Sequence, residues 1–137
     1  MKGAFLLSFD DAIIAKVRRD LSRTGAEGWH GCTVLYEGPD AVQVQETGTD
    51  HLFSLDQYDD RPDFAWAYRD PPHFPAPGVT MPDLSQVLAY GIDCRWEDLF
   101  ARLVGVVAEI SADAAWVLDD EAVVWDARAV DPARVRL

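Results

Sequence analysis

Seven apolar side chains recur at spacings of three and four between residues 93 and 111, and this pattern constrains the fold more than any other. They are Trp96, Leu99, Phe100, Leu103, Val104, Val107 and Ile110. Side chains at this spacing share one face of a helix. Asp93 is the predicted N-cap, and Ser111–Asp113 the predicted exit turn. The apolar stripe needs a partner surface, because a short helix on its own is marginal in water.

Part of that surface comes from the residues that follow the helix. Ala115–Leu118 and Ala122–Trp125 are rich in β-branched and aromatic residues, which favours two strands of a hairpin. With the turn centred on Asp120 and Glu121, Trp116 is expected to face Trp125, and Leu118 to face Val123. The intervening Asp119–Glu121 contains no Gly, so a type I-based loop is favoured over a two-residue type I′ turn. A slip of one residue would place the two tryptophans on opposite faces.

The rest of the chain supplies further strands and shorter helices. Ala4–Phe9 reads as a central strand, followed by a helix with Ile13, Ile14, Val17 and Leu21 inward, and residues 32–55 read as a three-stranded meander. Phe64–Tyr68 alternates as a strand with one aromatic face. Residues 70–83 form a Pro-rich connection, and a short helix from Pro82, with Leu84, Val87 and Leu88 inward, is predicted to end at Gly91.

This order of elements predicts an α+β fold. Runs of strands with segregated helices are typical of an antiparallel sheet, here the meander plus the C-terminal hairpin, with helices packed on one face. The length of 137 residues suits a single domain spanning residues 1–137, with the 70–83 connection inside it.

Composition narrows the function classes. The formal net charge is −12, which argues against binding nucleic acid through a broad basic face. No apolar run is long enough to cross a bilayer, so no membrane partner is expected and the protein is predicted to be cytoplasmic. Cys32 and Cys94 are therefore expected to be thiols rather than a disulfide. The sequence does not indicate an oligomeric state.

Motifs for catalysis or metal binding are weak. His30 and Cys32 could share a face of an extended chain as base and nucleophile, but no orienting group accompanies them. His51 and His73, with nearby aspartates, lack the spacing of known metal sites. We therefore predict no catalytic residues, no metal ligands and no cofactor.

The most suggestive segment is acidic and aromatic. Residues 37–70 hold nine acidic and two basic side chains, a net charge of −7. A surface of this kind could steer a basic protein by charge and bind it through the rings. The competing interpretation is a core strand beside a solvated loop. The candidate binding residues are Asp56, Tyr58, Asp59, Asp60, Asp63, Trp66 and Tyr68.

A resemblance points in the same direction. Trp96–Phe100 (W-E-D-L-F) and Ala115–Asp126 resemble small uncharacterised actinobacterial proteins and the immunity proteins of bacterial polymorphic toxin systems. The matching residues are structural, so no site residues carry over. The resemblance implies a small, acidic, cytosolic binding protein.

Two function hypotheses follow. The first is a non-enzymatic protein-interaction module, in its specific form an immunity-type inhibitor of a basic toxin. The second is a small-ligand-binding or enzymatic domain with an aromatic-lined pocket near Trp29, Trp66 and Tyr68. A convex acidic surface would favour the first hypothesis, and a concave pocket with converging polar groups the second.

Overall fold

A computed structural model describes residues 3–24, 27–57 and 66–137, and these form one α+β domain. The elements in chain order are β1 (Gly3–Ser8), α1 (Ile13–Thr24), β2 (Glu27–Trp29), β3 (Cys32–Glu37), β4 (Ala41–Glu46), β5 (Leu52–Gln57), α2 (Trp66–Arg69), β6 (Phe74–Pro75), β7 (Leu88–Asp93), α3 (Glu97–Ser111), β8 (Ala115–Leu118) and β9 (Val123–Asp126). The strands make one sheet in the order β2-β3-β4-β5-β7-β1-β8-β9-β6. All neighbouring strands are antiparallel except β6 and β9. The predicted fold class is confirmed.

Strand β1 lies inside the sheet, between β7 and β8. Successive side chains of a strand point to opposite faces, so Leu6 and Leu7 enter different cores. Both are completely buried. A strand covered on both faces reads as a continuous apolar run, as Ala4–Leu7 does.

The two long helices, α1 and α3, pack against each other and against the same face of the sheet. Five of the seven stripe residues of α3 are buried: Leu99, Phe100, Leu103, Val104 and Val107. The predicted helix and most of its stripe are confirmed. The exceptions are Ile110, which is only partly buried, and Trp96, which is the N-cap residue and is 38% exposed.

The predicted start of α3 lies too early in the chain. Asp93 is not its N-cap, because β7 continues through Asp93, which pairs with Gly3 on one side and Ser54 on the other. Helix α3 therefore begins only at Glu97, with no side-chain cap. The predicted short helix ending at Gly91 is also wrong, since Leu88–Asp93 is a strand. Hydrogen bonding to two neighbouring strands outweighs the weak local helix signal.

The meander of β3, β4 and β5 is confirmed. Val42 and Val44 are buried under the helices. Gln43 lies on the other face of the sheet, where its Nε2 donates to Ser54 Oγ across the β4–β5 pair (3.0 Å). The alternation of apolar and polar residues in β4 therefore determines which of its side chains face the helices.

The C-terminal hairpin is present, but its predicted register is wrong by one residue. Trp116 pairs with Asp126, and Val117 pairs with Trp125, so the two tryptophans lie on opposite faces. The turn is fixed by Asp119, whose Oδ1 accepts from the backbone N–H groups of Glu121 and Val123 and whose Oδ2 accepts from Trp125 Nε1. A carboxylate that binds the loop lengthens the turn by one residue and shifts the pairing.

A second, smaller core covers the sheet face away from α1 and α3. Tyr68 of α2 packs there with Leu7, Val87 and Leu118, and its ring lies 5.6 Å from that of Phe5. The prediction of a strand through Tyr68 is wrong, since Trp66–Arg69 is helical; Phe64 and Ala65 lie outside the described residues. The Pro-rich connection 70–83 contributes only the two-residue strand β6 at the sheet edge.

We expect Leu103→Ala to lower the free energy of unfolding by about 2–5 kcal/mol, because Leu103 is fully buried in the middle of α3. Urea denaturation measures the change. Leu35→Ala is the matched control, because Leu35 is 49% exposed and its truncation should cost less than about 0.5 kcal/mol. Equal losses for the two variants would mean that the α3 stripe is not the core.

Candidate functional site

The structure separates the binding residues predicted from sequence. Tyr68 is only 2% exposed, so its ring is a core residue and not a contact surface. Asp56 is half-buried in β5. Trp66 begins α2, and its side chain lies outside the described part of the chain, as do Tyr58, Asp59, Asp60 and Asp63.

The predicted aromatic pocket near Trp29, Trp66 and Tyr68 also lacks support. Trp29 is 1% exposed and belongs to the core beneath α1 and α3, where its Nε1 donates to Asp20 Oδ2 (2.8 Å). Tyr68 belongs to the core on the opposite face of the sheet. Two side chains on opposite faces cannot line one cavity.

An exposed aromatic surface occurs instead at the start of α3. The indole of Trp96 stacks on the imidazole of His51, with ring centroids 3.7 Å apart and planes 15° apart. Carboxylates surround His51: Glu46 Oε1 lies 3.4 Å from its Nδ1, and Asp50 Oδ1 lies 3.8 Å from its Nε2. These residues, together with the exposed Asp93, Arg95, Glu97 and Asp98 that flank Trp96 in the chain, are called the Trp96 patch.

The Trp96 patch keeps most of its negative charge. Arg102 Nη2 binds Glu46 Oε2 at 2.6 Å and neutralises that carboxylate. Among the described residues, Asp93, Glu97 and Asp98 have no cationic partner within ion-pair distance. The sequence analysis missed this surface because it counted Trp96 as part of the buried stripe. Trp96 is displaced from the stripe because α3 starts only after it.

A second feature is an open groove of about 970 Å³ between α1 and α3, called here the α1–α3 groove. Val106, Ile110, Gly105 and Ala112 contribute small or apolar surface to it. Five cations and two carboxylates line it, giving a net charge of +3 with His30 neutral: Lys16, Arg19, Arg23, Arg102, Arg128, Asp20 and Glu109. A basic concavity is unexpected in a chain whose net charge is −12.

A polar network around Asp10 reaches the groove through Lys16 and Ser111, which line it. Asp10 Oδ2 accepts hydrogen bonds from Lys16 Nζ (2.7 Å) and Ser111 Oγ (2.6 Å). Asp10 Oδ1 accepts from the backbone N–H of Ala12, and the Asp10 carbonyl accepts from the Tyr90 hydroxyl. The network joins β1, β7, the start of α1 and the end of α3.

The pKa of Asp10 reflects two opposing effects. Burial is the largest single influence and raises it. The hydrogen bonds from Lys16, Ser111 and Ala12 together outweigh burial, so the pKa lies below its ordinary value of 3.8. Asp10 is therefore a carboxylate at neutral pH.

The proposed Cys–His pairing is not supported by the geometry. Cys32 is fully buried, and its thiol lies 3.8 Å from the carbonyl oxygen of His30 rather than from the imidazole. Burial raises the pKa of Cys32, and it raises the pKa of Cys94 to about 11. Both are free thiols, as predicted from the sequence. A protonated, buried thiol is a poor nucleophile.

Comparisons with known proteins provide no relative. A scan against family models and searches of curated proteins and of solved structures found no match to this chain. The resemblance to immunity proteins therefore stays a prediction.

Within the described ranges, no helix is long and apolar enough to cross a membrane. The same residues contain no group of three His, Cys, Asp or Glu side chains placed to hold a metal ion.

We expect Asp10→Asn to lower the free energy of unfolding at pH 7 by about 2–3 kcal/mol, because it leaves buried donors without a charged acceptor. The folded-state pKa is depressed, so the carboxylate contributes stability above about pH 4. That contribution is lost as the pH falls through the folded-state pKa, and the difference between parent and variant should shrink there. Denaturation at several pH values measures it. The exposed neighbour substitution Asp11→Asn is the control; a similar effect for both would remove Asp10 from this role.

We expect neither cysteine to react with iodoacetamide in the native protein, because both thiols are buried and protonated. Both should be alkylated after unfolding in denaturant. Intact-mass spectrometry distinguishes the two states. Rapid labelling of the folded protein, or a protein two hydrogens lighter that resists labelling when unfolded, would contradict this expectation.

Proposed function

We propose that this chain is a non-enzymatic protein-interaction module that binds a basic protein through the Trp96 patch. The observation that carries the proposal is the exposed Trp96 ring, which stacks on His51 in a segment whose carboxylates Asp93, Glu97 and Asp98 have no ion-pair partner among the described residues. The surface differs from the one expected from sequence, but it has the same chemistry of acidic groups around an aromatic ring.

The tryptophan ring and the carboxylates of the Trp96 patch have different roles in binding. Tryptophan is enriched among residues whose truncation costs the most binding energy, because its large ring excludes much water on contact. The stack on His51 holds the Trp96 ring in one orientation, which reduces the entropy lost on binding. Exposed carboxylates close to Trp96 in the chain, such as Asp93 and Glu97, attract a cationic partner and mainly raise the association rate.

An inhibitor of a basic toxin is the specific form of this proposal that the sequence resemblance favours. We infer a cytoplasmic location as part of the same proposal. The alternative, a domain with an aromatic-lined pocket, has less support because Trp29 and Tyr68 are buried on opposite faces of the sheet.

The test compares partners captured from the native host by three forms of the protein. The patch variant is Trp96→Ala with Glu97→Gln and Asp98→Asn. The control variant, Phe74→Ala with Asp40→Asn and Asp70→Asn, also removes one exposed aromatic ring and two exposed carboxylates. We expect the parent and the control to capture the same basic protein and the patch variant to lose it.

Binding kinetics with the purified partner then separate the two roles. Trp96→Ala alone should weaken binding by about 2 kcal/mol, mostly through faster dissociation. Glu97→Gln with Asp98→Asn should slow association at low salt, and this difference should fade at about 1 M salt. A partner that is acidic, or that the patch variant binds as tightly as the parent does, would disprove the proposal.

A further inference from the structure

The α1–α3 groove concentrates positive charge in an acidic protein. Five of the twelve lysines and arginines in the chain line it. Outside the groove, the described ranges of the chain contain 19 acidic residues and only five basic ones. Cations that stay unpaired within one groove repel each other, which has an electrostatic cost. A bound anion would relieve that repulsion.

Three of the five cations already neutralise protein groups. Lys16 binds Asp10 and the carbonyl oxygen of Ser111. Arg128 binds Glu109 and the carbonyl oxygens of Ala108 and Asp113. Arg102 binds Glu46 and the carbonyl oxygen of His30. The contacts of Lys16 and Arg128 cap the carbonyl end of α3, and those of Arg102 join α3 to β4 and to the loop before β3.

The remaining two cations, Arg19 and Arg23, make no hydrogen bond or ion pair with any described residue. They are four residues apart on α1, so their side chains are neighbours on one helix face. Both are exposed and both line the groove. Two adjacent free guanidinium groups can each present paired N–H donors to the oxygens of a phosphate.

The groove also has apolar surface. Val106 and Ile110 are only partly buried, although they pack against the main core. Gly105 lies beside them in the middle of α3, where a glycine is less favourable than alanine by about 1 kcal/mol. A Cβ at Gly105 would come no closer than 3.8 Å to the carbonyl oxygen of Ala127. Packing therefore does not demand glycine here, and the missing side chain leaves the groove open.

We propose that the α1–α3 groove binds a small phosphate ester of nucleoside diphosphate size. Its phosphates contact Arg19 and Arg23, and its apolar body lies against Val106 and Ile110. The volume of about 970 Å³ is at the upper end of the range for small-ligand sites. Lys16 and Arg23 are seven residues apart on α1, so the groove extends roughly 10 Å along this helix. A longer polyanion such as nucleic acid would extend beyond the groove onto the acidic remainder of the surface.

Calorimetric titration of the full chain tests the site with adenosine diphosphate, pyrophosphate and adenosine as probes. We expect adenosine diphosphate to bind with a submillimolar dissociation constant, more tightly than pyrophosphate and much more tightly than adenosine. Arg19→Gln with Arg23→Gln should weaken adenosine diphosphate binding by about tenfold or more. Arg134→Gln with Arg136→Gln makes the same change of net charge on exposed residues outside the groove and should leave the affinity unchanged within about twofold.

A second variant tests the shape of the groove without changing its charge. Gly105→Leu should fill the space beside Val106 and weaken adenosine diphosphate binding more than pyrophosphate binding. A cooperative thermal transition confirms that each variant is folded. Added ligand then raises the melting temperature only of the forms that bind it.

Three results would overturn the proposal. The first is no binding of adenosine diphosphate or pyrophosphate at millimolar concentration. The second is an equal loss of affinity in the groove variant and in the Arg134/Arg136 control, which would indicate unspecific attraction. The third is an oligoglutamate peptide that competes with adenosine diphosphate at lower concentration, which would assign the groove to an acidic protein segment. None of these results bears on the Trp96 patch, which uses other residues.

Discussion

Asp10 is hydrogen-bonded to four elements, two of which, β7 and α3, are distant from it in the chain. It accepts hydrogen bonds from Lys16 at the start of α1 and from Ser111 at the end of α3, while its own carbonyl accepts from Tyr90 of β7. A buried charge is tolerated only when it is paired and fully hydrogen-bonded, so these partners must stay in place. The network thereby fixes where α1 and α3 lie on the sheet.

Both candidate surfaces follow from the position of α3. Its C-terminal end is held by the Asp10 network, and that end forms one limit of the α1–α3 groove. Its N-terminal end follows β7 directly and leaves Trp96 outside the helix, against His51. The two surfaces meet at the ion pair between Arg102 of the groove and Glu46 of the Trp96 patch, and the buried side chains of α3 hold the helix on the sheet.

Net charge alone is a poor guide to the surface of this protein. A charge of −12 suggests a uniformly acidic exterior, yet α1 and α3 enclose a basic groove. Arg19 and Arg23 come from one helix, Arg102 from the other, and Arg128 from the segment after β9. Their charges add up only because the two helices pack side by side. The electrostatic field around a folded chain depends on where its charges lie and not only on its net charge.

The sequence by itself determined the elements whose periodicity is strong. Three patterns each specify an element and its buried face: the stripe from Leu99 to Val107, the strand Ala4–Leu7 and the alternation of Val42 and Val44. They do so because neighbouring residues of one element must share a face if their apolar side chains are to be buried together. The α+β class follows from their order. Only tertiary structure decided that Leu88–Asp93 is a strand, because its backbone hydrogen-bonds to β1 and β5, which are distant in sequence.

The candidate surfaces depended on tertiary structure almost entirely. Acidic groups around an aromatic ring were expected from the sequence, but the exposed ring is a different one. Tyr68 is buried in the second core, whereas Trp96 precedes the first residue of α3 and stays exposed. The shift of Trp116 relative to Trp125 came from a carboxylate, Asp119, binding its own turn. A sequence specifies which side chains seek burial, whereas hydrogen-bonding partners from distant segments decide which of them remain exposed.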